Sequence, residues 1–184
     1  LSLNNNVDMV SFTGSTATGK AIAKTCADSF TPTVLELGGK SAAVLLDDVD
    51  ITTFAKNLPY LGFTFTGQNC FIHSRIIVTK NRYAEVMDAI CDSAARIKVG
   101  DPFEDETQNG PLISQARREK VESYIQSGIT EGAHIAFGGN RPKDLDKGWY
   151  LNPTIFADAT NQMRISREEI FGPVISVIRA ENDQ

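Results

Sequence analysis

Length, composition and charge exclude several classes of protein. The chain has 184 residues, enough for one sizeable core and part of a second domain. Its formal net charge of −5 at pH 7 argues against a nonspecific nucleic-acid-binding protein, which would usually be basic. Because no apolar run is long enough to span a bilayer, we expect a soluble protein with neither a membrane nor a nucleic acid as partner.

Cysteine usage indicates a reducing compartment. Cys26, Cys70 and Cys91 are sparse and odd in number, which is not typical of a disulfide scaffold. The two histidines, His73 and His134, lie far apart in the sequence, and no Cys/His spacing resembles a zinc site. The sequence therefore predicts a cytoplasmic protein without a metal centre.

The first elements are a strand, a glycine turn and a helix. The strand is predicted over Val7–Thr13, the turn at Gly14 and the helix over Thr18–Ala27. This arrangement points free backbone N–H groups at an anion, typically a phosphate. Gly14–Lys20 also resembles a P-loop, but Ala21 stands where a magnesium-binding Ser or Thr is required. A plain strand-to-helix connection is the third possibility.

A glutamate lies inside the second predicted strand, Val34–Leu37. Glu36 is flanked by leucines and followed by Gly38-Gly39. On an exposed face of the strand it would need no explanation, whereas in a crevice it would suit general-base chemistry. The apolar run Ser41–Leu46 that follows is typical of a strand buried on both faces of a parallel sheet.

A helix is predicted from the next aspartates to about Leu61. Asp47, Asp48 and Asp50 are candidate helix caps rather than metal ligands. Pro59 is expected to bend this helix or to end it early, because proline lacks the backbone N–H that a helix interior uses.

The stretch Gly67–Cys70 joins this helical run to a strand. Gly67 permits a tight turn, and Cys70 is the one cysteine outside an obvious helix. Backbone N–H groups exposed at such a turn can favour the thiolate and so activate the thiol. The alternative is that Cys70 is a small buried hydrophobic residue.

The second half of the chain alternates helices and strands. Strands are predicted over Arg75–Thr79, Ala133–Phe137, Thr154–Ala157 and Val174–Ile178. Amphipathic helices are predicted from Asn81 to Ile97 and over Ser114–Glu131. In the latter we expect an inward-facing set (Val121, Tyr124, Ile125, Ile129) and a solvated basic set (Arg117, Arg118, Lys120). The alternation predicts an α/β fold with a largely parallel sheet.

Four separated stretches share the pattern of one family. They are Phe12–Thr16 with Gly19, Leu35–Lys40, Gly67–Cys70 and Glu168–Val174. In this order and spacing they resemble the NAD(P)-dependent aldehyde dehydrogenase superfamily over nearly the whole chain. The resemblance implies an aldehyde-dehydrogenase-like fold, Rossmann-like and incomplete, with a largely parallel sheet flanked by helices.

The resemblance also implies a mechanism. Cys70 corresponds to the nucleophile that attacks the aldehyde carbon, giving a thiohemiacetal and then a thioester. Glu36 corresponds to the general base that activates the hydrolytic water. The backbone N–H of Cys70 would contribute to an oxyanion hole. The product would be a carboxylic acid.

Six residues match family positions that meet NAD or NADP. Ser15 lies where the family meets the pyrophosphate, and Glu169 where it meets the nicotinamide ribose hydroxyls. The full set implied by the resemblance is Gly14, Ser15, Gly19, Leu37, Glu169 and Phe171.

One departure from the family follows the nucleophile. Phe71, Ile72 and His73 stand where the family usually carries small residues, which affects the expected shape of the substrate tunnel. A Cys70–His73 pair is disfavoured, because residues three apart on a strand point to opposite faces.

The resemblance divides the chain into two parts. Residues 1–39 would end the NAD(P)-binding domain, and residues 40–184 would form most of the catalytic domain. Because members of the family are longer, we expect a piece of a longer homo-oligomeric enzyme that by itself binds cofactor weakly or not at all. The alternatives are a truncated non-catalytic domain of this family and a P-loop nucleotide-binding protein.

Overall fold

A computed structural model describes residues 1–182 of the chain. Two compact units are present, Leu1–Gly39 and Lys40–Gln184, and each is described by itself. The assignment of these units to a cofactor domain and a catalytic domain stays a prediction.

The first unit contains a parallel pair of strands joined by a helix. Strand β1 spans Val10–Gly14, helix α1 spans Thr16–Ala27 and strand β2 spans Thr33–Leu37. The strands pair in parallel, with Gly14 opposite Leu37. Ser15 caps α1, because its Oγ accepts a hydrogen bond of 3.2 Å from the Thr18 N–H. The helix therefore begins two residues earlier than Thr18, its predicted start.

The second unit is built on a five-stranded sheet. Its strands are β3 (Ala42–Leu45), β4 (Arg75–Thr79), β5 (His134–Phe137), β6 (Thr154–Ala159) and β7 (Val174–Ala180). The order across the sheet is β3-β4-β7-β6-β5, and only the β5–β6 pair is antiparallel. The predicted α/β fold with a largely parallel sheet is confirmed.

Helices cover both faces of this sheet. They are α2 (Ile51–Phe63), α3 (Tyr83–Ala95), α4 (Gln115–Thr130) and the short α5 (Arg164–Arg167), with a 3₁₀ turn at Thr64–Gly67. Leu58 of α2 and Ile90 of α3 share one hydrophobic cluster with Ile76. Val121 of α4 shares a second cluster with Phe156. Successive residues of β7 alternate between clusters, as the two-residue period of a strand requires.

The expectation that Ser41–Leu46 forms a strand buried on both faces is wrong. Strand β3 lies at the edge of the sheet among the described residues, and the Val44 side chain is 62% exposed. An apolar run predicts a strand but does not determine whether another strand pairs with its far edge.

Pro59 lies inside α2 without ending the helix. Its missing N–H would have bonded to the carbonyl of Ala55, four residues earlier. The Ser93 hydroxyl of α3 donates to that carbonyl instead, at 2.6 Å. A side chain from a neighbouring helix therefore satisfies the group that proline leaves unpaired.

Two side chains of α4 differ from their predicted environments. Ile129 was expected to face inward but is 44% exposed. Arg118 was expected to be solvated, yet its side chain is only 13% exposed and its guanidinium lies 5.1 Å from the centre of the Trp149 ring. The aliphatic stem and planar head of arginine can cover apolar surface in this way.

No helix among residues 1–182 is both long enough and apolar enough to cross a membrane.

Candidate active site

The end of β1 and the start of α1 bring four predicted cofactor residues together. Gly14 ends the strand and pairs with Leu37 of β2, and Ser15 caps the helix that follows. An added Cβ at Gly19 would lie 2.6 Å from the Leu37 side chain. Gly14, Ser15, Gly19 and Leu37 therefore form one cluster, and only a residue without a side chain fits where Gly19 meets Leu37.

The P-loop alternative finds no support in this geometry. A P-loop wraps several residues of non-helical backbone around the phosphates before its helix begins. Here residues Thr16–Ala27 are already helical, and Ser15 is the single residue between strand and helix. The free N–H groups at the start of α1 remain, and these favour an anion.

Glu36 occupies the exposed face of β2. It pairs with Thr13 of β1, and its leucine neighbours on the strand point to the opposite, half-buried side. Glu36 belongs to the first unit and Cys70 to the second, so the convergence of these two residues stays a prediction.

Cys70 lies on an exposed turn between the 3₁₀ turn and β4. The thiol is free and exposed, whereas the other two cysteines lie in helices, with Cys26 buried and Cys91 half-buried. The alternative that Cys70 is a buried hydrophobic residue is therefore wrong. No hydrogen bond in the described part of the chain uses the Cys70 backbone N–H, which is free to bind a developing oxyanion.

Three residues before Cys70 have backbone φ angles in the left-handed region. Phe65, Thr66 and Gly67 have φ angles of 52°, 58° and 71°. For residues with a side chain this conformation is uncommon, and it clusters at functional sites. The Thr66 hydroxyl donates to the Gly110 carbonyl at 3.0 Å, and the Ile113 N–H donates to Gln68 Oε1 at 3.0 Å. These two long-range hydrogen bonds hold the turn in its strained form.

The Cys70 turn packs directly against the Gly172-Pro173 segment. A Cβ added to Gly67 would lie 2.1 Å from the carbonyl oxygen of Gly172. Phe171 directly precedes Gly172; its φ is 57° and its ring lies 5.4 Å from the Arg117 guanidinium carbon. The structure therefore brings the Cys70 turn together with the segment that carries Glu169 and Phe171.

A hydrogen-bonded network fixes the start of that segment. The Tyr124 hydroxyl donates to Glu168 Oε2 at 2.7 Å, and Arg164 Nε donates to the same oxygen at 3.1 Å. The Tyr124 hydrogen bond, and then Arg164, hold the pKa of Glu168 below its ordinary value, although partial burial opposes them. Sequence reasoning missed the role of Tyr124, whose contact with Glu168 spans 44 residues, and that of Arg164, which contacts Glu168 four residues along the chain at the short helix α5.

Lys40 and Glu169 are half-buried polar residues in the same unit. The Lys40 ammonium nitrogen and Glu169 Oε1 are both buried without a hydrogen-bond partner in the described residues. Burial, and then the Arg75 guanidinium, lower the pKa of Lys40 from 10.5 to about 8, while Glu169 and Glu168 raise it. Sequence reasoning used Lys40 as part of a motif without giving it a role.

His73 was expected to lie on a strand, but it lies in a loop. It precedes β4, and its backbone N–H donates to the Leu61 carbonyl at 2.9 Å. Its Nδ1 is buried and has no hydrogen-bond partner among residues 1–182. The strand argument against a Cys70–His73 pair therefore does not apply, since strand alternation does not extend to this loop.

The described residues contain no competing metal centre, and their cavity lies away from the predicted site. Among residues 1–182, no group of three His, Cys, Asp or Glu side chains could hold a metal ion. A cavity of about 520 Å³ lies between α2 and α3, with Lys56, Pro59, Asp92 and Arg96 in its lining. It contains none of the predicted site residues.

Comparison of the sequence with protein families gives one match. The sequence model of the aldehyde dehydrogenase family matches residues 1–184. A geranial dehydrogenase of Castellaniella defragrans is 46% identical over 177 residues, which is 96% of this chain and 37% of that protein. A betaine aldehyde dehydrogenase of Brucella ovis is 43% identical over 95% of this chain and 36% of its own length. The chain thus spans a little over a third of these relatives.

Solved structures with the same fold contain cofactor. An aldehyde dehydrogenase of Mycobacterium tuberculosis in complex with NAD+ has a TM-score of 0.96 and 42% identity, covering 99% of this chain and 38% of that one. An aldehyde dehydrogenase mutant of Pseudomonas syringae in complex with NAD+ and octanal has a TM-score of 0.95 and 37% identity, covering 98% of this chain and 38% of that one.

Proposed function

Because the chain belongs to the aldehyde dehydrogenase family, we propose that the whole protein oxidises an aldehyde to a carboxylic acid with NAD(P)+. The observation that carries the proposal is the Cys70 turn, where a free exposed thiol follows Gly67, which packs against the segment bearing Glu169 and Phe171. The relatives named geranial and betaine aldehyde dehydrogenase support an aldehyde as substrate.

The thiol of Cys70 is the nucleophile. After losing its proton it attacks the aldehyde carbon, and the sulfur–carbon bond gives a thiohemiacetal whose oxygen carries negative charge. The free backbone N–H of Cys70 donates to that oxygen. Loss of a hydride from the same carbon leaves a thioester on Cys70.

Glu36 serves as the base in the second half of the reaction. It takes a proton from water, whose oxygen then attacks the thioester carbon, and the carbon–sulfur bond breaks to release the acid and the thiol. The exposed position of Glu36 on β2 leaves its carboxylate accessible to water.

Six residues in two groups would hold the cofactor. The cluster of Gly14, Ser15, Gly19 and Leu37 presents the start of α1 to the pyrophosphate. Glu169, with a buried and unpaired carboxylate oxygen, fits the role of accepting hydrogen bonds from ribose hydroxyls, and Phe171 packs nearby. Bound NAD(P)+ supplies the hydride acceptor.

Substitution of the two catalytic residues tests the proposal in the whole protein. Cys70→Ala should abolish aldehyde-dependent formation of NAD(P)H, followed by absorbance, while Cys91→Ala serves as the matched control and should retain turnover. Glu36→Gln should give one rapid turnover per site and then stall, because the thioester forms but is not hydrolysed. Normal steady-state turnover in Cys70→Ala would exclude the assigned nucleophile.

We also propose that the whole protein is a cytoplasmic homo-oligomer. Three free cysteines in the described structure agree with a reducing compartment. Most residues of α1 are exposed, which leaves that helix available to a second copy. Sedimentation velocity of the whole protein would test the prediction, and a single species at the monomer mass would contradict it.

A further inference from the structure

One face of α4, with its C-cap residue, runs along the segment 164–172 that carries Glu169 and Phe171. The members of this face are spaced alternately four and three residues apart, so the 3.6-residue period of a helix places them in a single stripe. This stripe, which we call the α4 face, consists of Arg117, Val121, Tyr124, Gly128 and Glu131.

The C-terminal half of the α4 face anchors the start of the segment 164–172. Glu131 Oε2 accepts a hydrogen bond of 2.6 Å from the Arg164 backbone N–H. A Cβ added to Gly128 would lie 3.0 Å from the Ile165 side chain, so the helix and the segment are in close contact there. A hydrogen bond and close packing therefore fix this end of the segment.

Tyr124 holds the middle of the segment. Its hydroxyl donates to Glu168 Oε2 at 2.7 Å, and Arg164 Nε donates to the same oxygen at 3.1 Å. The Arg164 guanidinium carbon also lies 4.3 Å from the centre of the Tyr124 ring. Because Tyr124 is only 5% exposed, it acts through Glu168, the neighbour of Glu169, rather than by touching a ligand.

The N-terminal half of the α4 face meets the end of the segment. A Cβ added to Gly172 would lie 2.5 Å from the Val121 side chain, and the Arg117 guanidinium carbon lies 5.4 Å from the centre of the Phe171 ring. Phe171 has a φ of 57°, a conformation that surrounding contacts must maintain in an aromatic residue. The α4 face therefore supports the segment on both sides of Glu169.

We propose that Tyr124 is a positioning residue that, through Glu168, holds Glu169 and Phe171 where they meet NAD(P)+. The inference rests on the cofactor role proposed above for these two residues. A hydrogen bond to a carboxylate is stronger than one between neutral groups, so its loss frees Glu168 to move. A site that is ordered before binding loses less conformational entropy when the ligand arrives, so a looser segment weakens binding.

Tyr124→Phe tests the inference in the whole protein, because it removes the hydroxyl and keeps the buried ring. We expect the Kd of NAD+, measured by calorimetry, to rise by about three- to tenfold, since a charge-assisted hydrogen bond is lost. At saturating NAD+, kcat should change by less than about twofold, because bound cofactor restores the order of the segment. An unchanged Kd, or a loss confined to kcat, overturns the inference.

Tyr83→Phe is the matched control. The Tyr83 hydroxyl also pairs with a carboxylate, that of Asp158, and accepts the Asp158 backbone N–H at 2.7 Å. Tyr83 packs against the other hydrophobic cluster, away from the α4 face. The Kd of NAD+ should therefore stay within about twofold of that of the unmodified protein. Equal losses of affinity in the two tyrosine variants would indicate general destabilisation and would contradict a positioning role.

Two variants of the cofactor residues separate the two proposals. If Glu169→Gln and Phe171→Leu both bind NAD+ with unchanged affinity, the cofactor role proposed above fails, and the positioning role of Tyr124 fails with it. If either variant weakens binding while Tyr124→Phe does not, the positioning role alone is wrong.

Glu168→Gln removes the charge of the same hydrogen bond from the exposed side. The Glu168 side chain is 51% exposed, so the change leaves the core intact. The Kd of NAD+ should rise as in Tyr124→Phe, and the double variant should add little to either single change. Strictly additive effects would show that the two residues act separately, against the inference.

Hydrogen exchange gives a measurement that needs no cofactor. In Tyr124→Phe the peptide covering residues 164–172 should exchange about three- to tenfold faster than in the unmodified protein, because the segment opens more readily. A peptide from β4 should exchange at its original rate. Unchanged exchange over residues 164–172 would show that Tyr124 does not hold the segment, and the inference would fall.

Discussion

Gly67 illustrates how one residue positions the reactive thiol. Its φ of 71° is accessible to glycine at little cost, and its missing side chain lets the turn touch the Gly172 carbonyl. Phe65 and Thr66 adopt the same left-handed region without that freedom, so the surrounding hydrogen bonds must hold them there. The chemistry proposed for Cys70 thus depends on backbone geometry three residues away.

We predict that Gly67→Ala will lower the free energy of unfolding by more than about 2 kcal/mol, because it adds both a strained φ and a backbone overlap. The overlap is with the Gly172 carbonyl oxygen, only 2.1 Å from the new Cβ. Urea unfolding measures the loss, and the rate of Cys70 labelling by a thiol reagent measures displacement of the turn.

Gly110→Ala is the control for this prediction. Gly110 does not have a left-handed φ, and its added Cβ would lie at an ordinary 3.5 Å from Pro102. We expect a change within about 0.5 kcal/mol. Equal stability losses in the two variants would contradict the assigned role of Gly67.

Helix α2 shows how one element depends on another. Pro59 removes a hydrogen bond in the helix interior, and Ser93 of α3 donates to the freed Ala55 carbonyl. The Ser93 side chain is buried, and its hydroxyl is the group that satisfies the Ala55 carbonyl. The helix continues to Phe63, and the 3₁₀ turn Thr64–Gly67 that leads to Cys70 follows it directly.

We predict that Ser93→Ala will cost about 1–2 kcal/mol in the free energy of unfolding, because it leaves a buried carbonyl unsatisfied. In a Pro59→Ala background the cost should be smaller, since residue 59 then has its own N–H to donate to Ala55. Urea unfolding of the two single variants and the double variant gives the coupling.

Ser123→Ala is the matched control on α4, because Ser123 is exposed. Its effect should stay within about 0.5 kcal/mol. Strictly additive effects of Ser93→Ala and Pro59→Ala would contradict the proposed compensation.

At the scale of the whole molecule, the two units differ in how many hydrophobic side chains they bury. The second unit encloses hydrophobic clusters on both faces of its five-stranded sheet. In the first unit, Cys26 is the buried hydrophobic residue. A two-stranded sheet with one helix cannot offset the conformational entropy of some forty residues.

We therefore predict that residues 40–184 expressed alone will unfold cooperatively on heating, whereas residues 1–39 alone will not. Far-ultraviolet circular dichroism measures both transitions, with residues 1–184 as the reference. A cooperative transition in the isolated residues 1–39 would contradict this account of the first unit.

The sequence by itself determined the α/β class, the order of the elements and the family motifs. Local patterns are sufficient for these features, because helix and strand periodicity and turn residues act over a few neighbours. Of the three aspartates predicted as candidate caps, Asp50 caps α2. Its Oδ1 accepts a hydrogen bond from the Thr53 N–H at 3.0 Å. Cys70 lies on a turn outside the helices, as its sequence context predicts.

Only the tertiary structure decided which distant groups meet. The edge position of β3, the burial of Arg118, the donor that lets Pro59 stay in α2 and the burial of the Lys40 side-chain nitrogen all depend on residues far along the chain. A local sequence pattern does not identify such partners, because burial and electrostatic interaction are set by three-dimensional packing rather than by sequence spacing.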